Sequence, residues 1–346
     1  MTIESQRLQE LLHKHLRPRV KEIDELGRYP GDFLRLLGEE GFYSQSPSDN
    51  LKLIRDVATV CVSTAFVVWC QTAAISFVSN GTSDELKQEL LSSLLTGEVL
   101  GGTGISNAMK FYAGLEELKL VGEKTPTGYC LHGTLPFVSN LAPHSWFAVV
   151  FRTEDNQRAI ALVPTDLEGV NLKEANGFLG LNGTATYSCQ FQNVHLSQKY
   201  VVSEQADELI AKIRPGFLLT QVGLALGVTR ASLDSMNNLQ DKQNAVNQFL
   251  KVQPTSLENR LQRLTDLVEQ LSDRSAIATV SFREVVEARL ESAYLAMDAA
   301  QAEMLHAGAA GYVAGSHTSR RLRESLFLAV VTPAVKQLEK MLKSLS

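Results

Sequence analysis

The sequence predicts a mainly α protein with an inserted β domain, because the spacing of apolar residues changes twice along its 346 residues. Up to about residue 98, and again from about 204 onward, apolar residues recur three or four apart, as in amphipathic helices. Between about 99 and 200, short runs rich in β-branched and aromatic residues are separated by turn clusters, as in strands. We therefore expect an N-terminal helical domain (1–98), a central antiparallel β domain (99–200) and a C-terminal four-helix bundle (204–346).

The N-terminal part begins with helical spacing at Leu8, Leu12 and Leu16 and reaches an uncharged stretch at 57–78. That stretch is long enough to span a bilayer. It nevertheless carries several Ser, Thr and Gln side chains and lacks the basic flanks that orient a membrane span. We therefore expect a helix buried on all sides within a soluble protein, and no membrane span.

The central part contains strand-like runs at 145–151 (SWFAVVF) and 159–164 (AIALVP), and an alternating run at 186–196. Turn clusters at 125–128 and 154–156 separate such runs, which is the pattern of strands joined by short connections. The sequence therefore predicts a β domain between the two helical parts.

The C-terminal part gives four helical segments. Three of them carry apolar residues on one face near 224–231, 257–271 and 285–295, and a fourth runs from about 322 to 342. The polar stretch 241–256 has few apolar anchors, so we expect a mobile connection there.

The amino-acid composition and net charge argue against some classes of function. A net charge of −5 argues against a nucleic-acid binder, which needs a clustered excess of Lys and Arg. The four cysteines, Cys61, Cys70, Cys130 and Cys189, form no CxxC pair, as is usual in a reducing compartment. Because the charged N-terminus also lacks the character of a secretory signal, we expect a cytoplasmic protein.

Familiar chemical motifs are missing from the sequence. It contains no GxxxxGK[ST], no GxGxxG, no GxSxG and no HExxH. His13 and His15 are two apart on a predicted helix and so point to different faces, which favours a solvated surface over a metal site. Composition and spacing therefore predict no metal centre and no mechanism.

Six stretches, in order and over nearly the whole chain, resemble the acyl-CoA dehydrogenase family. YPGDFLRLLGEEGF (29–42) fits the N-terminal helices, and GTGISNA (102–108) falls where that family has its flavin loop. GYCLHGTLPFVSN (128–140) resembles Gly-Tyr-x-Leu-x-Gly-x-Lys-x-Trp-Ile-Thr-Asn. GFLGLNGTATYSCQFQNVHL (177–196) resembles the Leu-Gly-x-Arg-Gly-Ser-x-Thr run. GLALGVTRASLD (223–234) and AGAAGYVAGSHTSRRLRES (307–325) are similar to two segments of the C-terminal bundle.

The resemblance implies an FAD-dependent oxidoreductase with CH–CH donors, acting on an acyl-CoA or a related small molecule. FAD would lie between the β domain and the bundle, in a site shared between the subunits of a homodimer or homotetramer. Phe137 then takes the place of a Trp that packs on the flavin, and Ser139 that of a Thr whose hydroxyl bonds the flavin edge. Thr103 and Ser106 fall in the flavin loop. Without a flavin, Phe137 would be a core residue of the β domain and Ser139 a turn residue.

The chain departs from the family where the chemistry is expected. Aligning Arg320-x-x-Arg323-Glu324 with the family's Arg-x-x-Arg-Asp puts Thr332 at the position of the usual catalytic Glu. The alternative position of the base falls near Phe217, and no carboxylate stands there either. A Thr hydroxyl cannot abstract an α-proton, because its pKa is far above neutral.

Other departures point the same way. The family's Arg-x-x-Phe-Gly, which helps to hold the FAD pyrophosphate, has no counterpart in 237–253, and the flavin loop lacks its Glu-Pro. Three readings therefore stay open: a flavoenzyme with altered chemistry or a relocated base such as His306 or His317, a flavin-dependent monooxygenase of the same fold, and a degenerate non-catalytic member.

Overall fold

The computed structural model describes residues 3–175, 177–275 and 280–345, and the side chains of 240–245, 274 and 275 lie outside this description. Before the sheet come six α-helices: α1 (Ile3–Leu11), α2 (Val20–Glu25), α3 (Gly31–Glu39), α4 (Pro47–Ala58), α5 (Val62–Asn80) and α6 (Asp84–Leu95). A π-helical turn and a 3-10 turn connect α1 to α2. One short helix, α7 (Ser106–Tyr112), lies within the β region.

The strands of the described chain form one eight-stranded sheet. They are β1 (Gly101–Thr103), β2 (Leu120–Thr125), β3 (Gly128–Val138), β4 (Trp146–Thr153), β5 (Arg158–Pro164), β6 (Val170–Glu174), β7 (Tyr187–Ser197) and β8 (Val201–Ser203). The order is β6-β7-β3-β2-β4-β5-β8, with β1 paired to β4.

The sheet is mixed, whereas the sequence predicts an antiparallel one. Both β1 and β2 run parallel to β4, and the other neighbouring pairs are antiparallel. Alternation of side chains shows which residues share a face but not which strand lies beside which, so it does not reveal the direction of pairing.

The C-terminal part consists of α8 (Ala206–Asn247), α9 (Pro254–Ser275), α10 (Phe282–Ala307), α11 (Ala309–Tyr312), α12 (His317–Val330) and α13 (Val335–Ser344). The helices α8, α9 and α10 correspond to three of the predicted segments, whereas the fourth, 322–342, is divided between α12 and α13 by the turn that contains Thr332 and Pro333. The predicted connection 241–256 is shorter than expected, because α8 continues to Asn247 and α9 begins at Pro254.

The uncharged stretch forms α5, which lies inside the protein as predicted. Two helices, α5 and the 206–239 part of α8, are long and apolar enough to cross a bilayer, judged by length and composition alone. In their most apolar windows 89% and 72% of the residues are buried within the protein. This burial is what a core helix of a soluble protein shows.

The charged cluster 320–324 fixes α12 within the molecule. Arg320 donates to the Val60 carbonyl at 2.8 Å, and the buried Glu324 carboxylate accepts the Val62 backbone N–H at 3.1 Å. The Glu324 carboxylate therefore satisfies an unpaired donor at the N-terminus of α5, where a negative charge is favourable.

Two further arginines of this cluster bind α10 and α2. Arg321 forms a bidentate ion pair with the buried Glu303 of α10, with an Nε–Oε2 distance of 2.7 Å. Arg323 forms a bidentate pair with Asp24 of α2, at 2.8 and 2.5 Å. These contacts hold α12, and therefore the turn that follows it, against three other helices.

Candidate functional site

Two predicted site residues from distant parts of the chain meet in the structure. The Ser106 hydroxyl lies 2.7 Å from the Thr332 hydroxyl, although 226 positions separate them in the sequence. Ser106 is the first residue of α7, and Thr332 lies in the turn between α12 and α13. Both residues are half-buried, so this hydroxyl pair borders on solvent.

Two buried side chains, Gln221 and Arg289, fix the backbone at Thr332 through hydrogen bonds. Gln221 of α8 donates its amide N–H to the Thr332 carbonyl at 3.1 Å, and its side-chain oxygen accepts from Arg289 Nε at 3.1 Å. Arg289 also donates to the Leu328 carbonyl at 2.9 Å, in the last turn of α12. A cation is favourable there, because the carbonyls at a helix C-terminus carry partial negative charge. Burial lowers the pKa of Arg289 to about 10.

An aromatic cluster fills the interior beside this turn. Trp69 packs edge-on against Phe217 at 4.7 Å and stacks on Phe66 at 5.5 Å between ring centroids, and Phe327 of α12 packs edge-on against Phe66. The Trp69 indole N–H donates to Thr220 at 3.1 Å. The alternative base position near Phe217 is therefore occupied by packed apolar rings.

Phe137 lies on the surface. Its side chain is 59% exposed and packs edge-on against Phe178 at 6.0 Å, so the reading of Phe137 as a core residue of the β domain does not fit the structure. Ser139 follows two residues later in the chain, just beyond an irregularity in the pairing of β3 with β7 between Leu135 and Val138. An exposed aromatic ring and a half-buried hydroxyl are therefore close in sequence at the end of β3.

Ser139 is the outer member of a chain of three hydroxyls. Its Oγ lies 2.8 Å from Thr186 Oγ1, which lies 2.8 Å from Thr184 Oγ1. Thr184 Oγ1 in turn donates to the Leu181 carbonyl at 2.8 Å. Both threonines are buried, whereas Ser139 is half-buried. Sequence reasoning missed the two threonines, although both lie in the quoted stretch 177–196.

Thr103 contributes to the candidate site through its backbone and not through its side chain. It is buried, its hydroxyl contacts the Cys70 sulfur at 4.0 Å, and its backbone forms a β-bridge with Ser139. Burial raises the pKa of Cys70 to about 12, so this thiol stays protonated at neutral pH. The Thr103 side chain therefore packs in the interior, and its backbone links Ser139 to β1.

A second support, also missed from the sequence, fixes the end of β3. The Tyr29 hydroxyl donates to the Asn140 side-chain oxygen at 2.6 Å, and the Asn140 amide donates to the Gly101 carbonyl at 2.8 Å. Asn140 is buried and has a φ of 67°, a conformation that Asn tolerates better than most residues. Burial raises the pKa of Tyr29, so this hydroxyl remains a donor.

A series of contacts and short chain segments connects the predicted residues with one another. Phe137 contacts Phe178, whose neighbour Leu179 accepts from Arg323 of α12 at 3.2 Å. Helix α12 then leads to Thr332, which meets Ser106. Ser106 follows Thr103, and the Thr103 backbone pairs with Ser139 beside Phe137. Exposed apolar side chains lie along this series: Leu179, Leu326 and Val330.

The two histidines considered as relocated bases lie elsewhere. His306 is buried and contacts the Val252 carbonyl at 3.0 Å through Nε2. His317 begins α12, on the order of 20 Å from Thr332 at about 1.5 Å per helical residue. Burial, and then the nearby Arg320 and Arg321, lower the pKa of His317. The structure does not bring either imidazole to the hydroxyl pair.

Two surface grooves of the described chain also lie away from the predicted residues. One of about 640 Å³ is lined by charged side chains of α4, α8 and α9, including Arg55, Arg230 and Glu258. The other, of about 400 Å³, lies between α9 and α10. Among the described residues, no group of three or more His, Cys, Asp or Glu side chains is arranged to hold a metal ion. The segment compared with Arg-x-x-Phe-Gly lies partly in 240–245, outside the described side chains.

Comparisons with known proteins agree with the resemblance seen in the sequence. No protein-family model matches the chain. The chain is 22% identical over 266 residues to the probable acyl-CoA dehydrogenase FadE25 of Mycobacterium tuberculosis strain H37Rv, covering 70% of this chain and 68% of the relative.

Solved structures establish the fold. The acyl-CoA dehydrogenase of Geobacillus kaustophilus superimposes with a TM-score of 0.89 at 15% identity, covering 100% of this chain and 98% of the other. PigA, solved with FAD and proline, superimposes with a TM-score of 0.85 at 14% identity, covering 99% and 97%. The chain has the acyl-CoA dehydrogenase fold and is similar in sequence, at low identity, to curated acyl-CoA dehydrogenases.

Proposed function

We propose that this protein is an FAD-dependent oxidoreductase whose flavin ring lies against Phe137, between β3 and α12. The observation that carries the proposal is the exposed apolar patch formed by Phe137, by Phe178 packed against it and by Leu179 next in the chain. Contiguous exposed apolar surface edged by polar groups is typical of a binding site. The isoalloxazine of FAD is a planar aromatic system with polar edges.

The polar groups around Phe137 fit such a ring. Ser139 lies two residues from Phe137, and Ser106 and Thr332 form a second pair of hydroxyls. Leu326 and Val330 of α12 expose apolar surface in the helix that leads to Thr332. When bound, FAD would supply the hydride acceptor, and these side chains would orient the ring and exclude water from its apolar part.

The arrangement at Thr332 defines the kind of chemistry. The hydroxyl pair has no charge at neutral pH, and neither hydroxyl can take a proton from a carbon acid. We therefore expect that the substrate, an acyl-CoA or a related small molecule, is not activated by a carboxylate at position 332. The flavin would accept electrons from a donor that needs no strong base at this position.

A flavin-dependent monooxygenase is the second candidate. The uncharged pair of Ser106 and Thr332 favours it, because a reaction between reduced flavin and oxygen does not depend on a carboxylate base. Because Phe137 is exposed, small molecules can also reach this side of the site from solvent. If the protein is neither of these enzymes, it is a degenerate family-like protein that binds no flavin.

The deciding experiment is the visible absorption spectrum of the purified protein, before and after incubation with excess FAD and removal of free ligand. Near one flavin per chain supports the proposal, and a colourless protein that cannot be loaded contradicts it. FMN and riboflavin, tried in parallel, show whether the adenylate half contributes to binding. Anaerobic bleaching by acyl-CoA would then indicate a dehydrogenase, whereas a need for a reductase and oxygen would indicate a monooxygenase.

The same proposal includes self-association as a homodimer or homotetramer. One end of the C-terminal bundle exposes several large apolar side chains: Val246, Phe249, Leu305, Tyr312 and Val313. Asn247 donates to the His306 carbonyl at 3.1 Å, so the ends of α8 and α10 that carry these side chains are adjacent. A second copy of the chain is the occupant that fits a subunit-shared site. The cytoplasm remains the expected compartment.

A further inference from the structure

We infer that Thr184 and Thr186 fix the direction of the Ser139 hydroxyl proton, so that Ser139 offers its ligand an acceptor and no donor. The inference concerns the chain's own hydroxyls, and it rests on the proposed flavin site only where it names the ligand. It gives a role to the 177–196 stretch, which the proposed function does not otherwise use.

Counting protons along the chain of hydroxyls gives the direction. Each Ser or Thr hydroxyl has one proton and two lone pairs. The Leu181 carbonyl at the inner end can only accept, so the single proton of Thr184 is directed to it at 2.8 Å. If that proton pointed elsewhere, two oxygen lone pairs would face each other at hydrogen-bond distance.

The remaining two bonds then have only one possible direction. Thr184 has no second proton, so the 2.8 Å contact with Thr186 requires that Thr186 donates. Thr186 is then left as an acceptor, and the 2.8 Å contact with Ser139 requires that Ser139 donates inward. The outward side of Ser139 Oγ therefore carries lone pairs alone.

The backbone keeps the three hydroxyls in register. The Asn140 N–H donates to the Thr184 carbonyl at 3.0 Å, and the Leu141 N–H donates to the Ala185 carbonyl at 3.1 Å. The Ser139 backbone is also paired with Thr103. Because Thr184 and Thr186 are buried, water does not compete readily for their protons.

The Ser106 and Thr332 pair behaves differently. Its two hydroxyls share one hydrogen bond, and either can be the donor. One proton of that pair stays available, whereas the proton of Ser139 is committed to Thr186. The two polar sides of the candidate site therefore differ in kind, one able to donate and the other restricted to accepting.

The consequence is a preference between redox states of a flavin. At N5 the oxidised ring presents a lone pair, whereas the reduced ring presents an N–H. If a bound flavin has this atom next to Ser139, an acceptor-only hydroxyl would favour the reduced form. A hydroxyl that is free to rotate would serve both forms, so the two threonines would raise the flavin reduction potential.

Neutron diffraction of deuterium-exchanged crystals of the unliganded protein tests the direction itself. We expect deuterium on Ser139 Oγ directed at Thr186 Oγ1, and deuterium on Thr184 directed at the Leu181 carbonyl. Deuterium of Ser139 directed to the solvent side, or Thr184 donating to Thr186, would overturn the inference whether or not FAD binds.

The consequence is tested by titrating the Thr186→Val variant with oxidised FAD and with dithionite-reduced FAD under anaerobic conditions. Freeing the Ser139 proton should favour the oxidised form roughly 3- to 10-fold relative to wild type. A 10-fold change corresponds to about 30 mV of lower midpoint potential for a two-electron couple. Thr184→Val should act in the same direction, although its hydroxyl is one step further from the ligand in the chain of hydroxyls.

Matched controls separate polarity from packing. Thr186→Ser and Thr184→Ser keep the hydroxyls and should keep the wild-type ratio, and circular dichroism confirms folding of all four variants. Equal ratios in the Val and Ser variants would overturn the redox preference. Failure of wild type to bind FAD in either state would instead count against the flavin proposal, and the neutron result would still decide the hydroxyl direction.

Discussion

The Ser106 hydroxyl lies 2.7 Å from the Thr332 hydroxyl, at the position where the resemblance expects a catalytic carboxylate. The Thr332 carbonyl accepts from Gln221, and Gln221 accepts from Arg289, so buried hydrogen bonds fix the turn. Position 332 is therefore held in place, while its side chain is uncharged.

Restoring a carboxylate should therefore restore base catalysis. In FAD-loaded protein we expect Thr332→Glu to be bleached by acyl-CoA without oxygen, at a rate roughly 100- to 10,000-fold above wild type, which is the contribution of a positioned general base. Stopped-flow absorbance of the flavin band measures this rate directly.

Thr332→Gln is the matched control for that change, because it has the same length and no base. A gain with Gln equal to that with Glu would mean that side-chain size at 332 matters and basicity does not. Rapid bleaching of wild type would show that this protein takes its base from another position.

Phe137 and Val149 should respond in opposite ways to truncation. Because Phe137 is exposed, Phe137→Ala should leave the free energy of unfolding within about 0.5 kcal/mol while weakening FAD binding about 10-fold. Val149 is fully buried in β4, so Val149→Ala should cost about 2 kcal/mol of stability and retain the flavin. Urea unfolding and FAD titration of both variants check the contrast, and equal flavin loss would reduce Phe137 to a surface residue without a ligand.

The order of elements could be predicted because periodicity is a local property. The spacing at Leu257, Leu261 and Leu264 indicates a helix regardless of what it packs against, and these residues are buried in α9. Pairing direction is not local: β1 and β4 lie parallel although more than 40 positions separate Gly101 from Trp146. The mixed character of the sheet therefore could not be predicted from alternation.

The candidate site, like the fold, could be predicted from the sequence only in part. A motif comparison could name Phe137 and Thr332 as candidates, because each lies in a quoted stretch or at a fixed distance from one. It could not show that Thr332 meets Ser106, or that Thr103 directs its hydroxyl to Cys70, because both depend on the packing of distant segments. Gln221 and Arg289 carry no motif, and only the fold assigns them a role.

Glu324 should be among the most destabilising positions to truncate. Its carboxylate is buried, accepts the Val62 N–H and lies 3.8 Å from Arg320. Removing it leaves Arg320 buried without its counter-ion, so Glu324→Ala should lower the free energy of unfolding by about 3–5 kcal/mol. Urea unfolding monitored by circular dichroism measures the change.

An exposed carboxylate provides the comparison. Glu287 pairs with Arg283 on the surface of α10 at 2.9 Å, and Glu287→Ala should cost no more than about 0.5 kcal/mol. A cost below about 1 kcal/mol for Glu324→Ala would show that α12 is held by apolar packing rather than by this contact.

The pair of Glu303 and Arg321 should give the protein a distinct sensitivity to acid. Burial by itself raises the pKa of Glu303, but hydrogen bonds from Arg321, Ser235 and Thr318 outweigh it and hold the pKa below the ordinary value of 4.5. A carboxyl with a lowered folded-state pKa stabilises the fold above its unfolded pKa, and this contribution is lost as the pH falls through the folded-state pKa.

Comparing wild type with Glu303→Gln isolates that contribution. At pH 7 the variant should be less stable by roughly 3 kcal/mol, and the difference should shrink as the pH falls below 4.5. Urea unfolding at pH 7 and at successively lower pH provides the two curves. A difference that stays constant across this range would mean that the Glu303 charge does not contribute.

The exposed apolar patch at the end of the bundle should hold two copies of the chain together. Phe249 is 82% exposed and follows Asn247, which bonds the His306 carbonyl, so an aspartate there would place a charge on the proposed contact surface. We expect wild type to sediment as a dimer or tetramer and Phe249→Asp to sediment as a monomer. Leu26 is 78% exposed near the N-terminal helices, and Leu26→Asp should leave the assembly unchanged. If the flavin site is shared between subunits, Phe249→Asp should also lose FAD, whereas a monomer that keeps its flavin would show that each chain binds FAD alone.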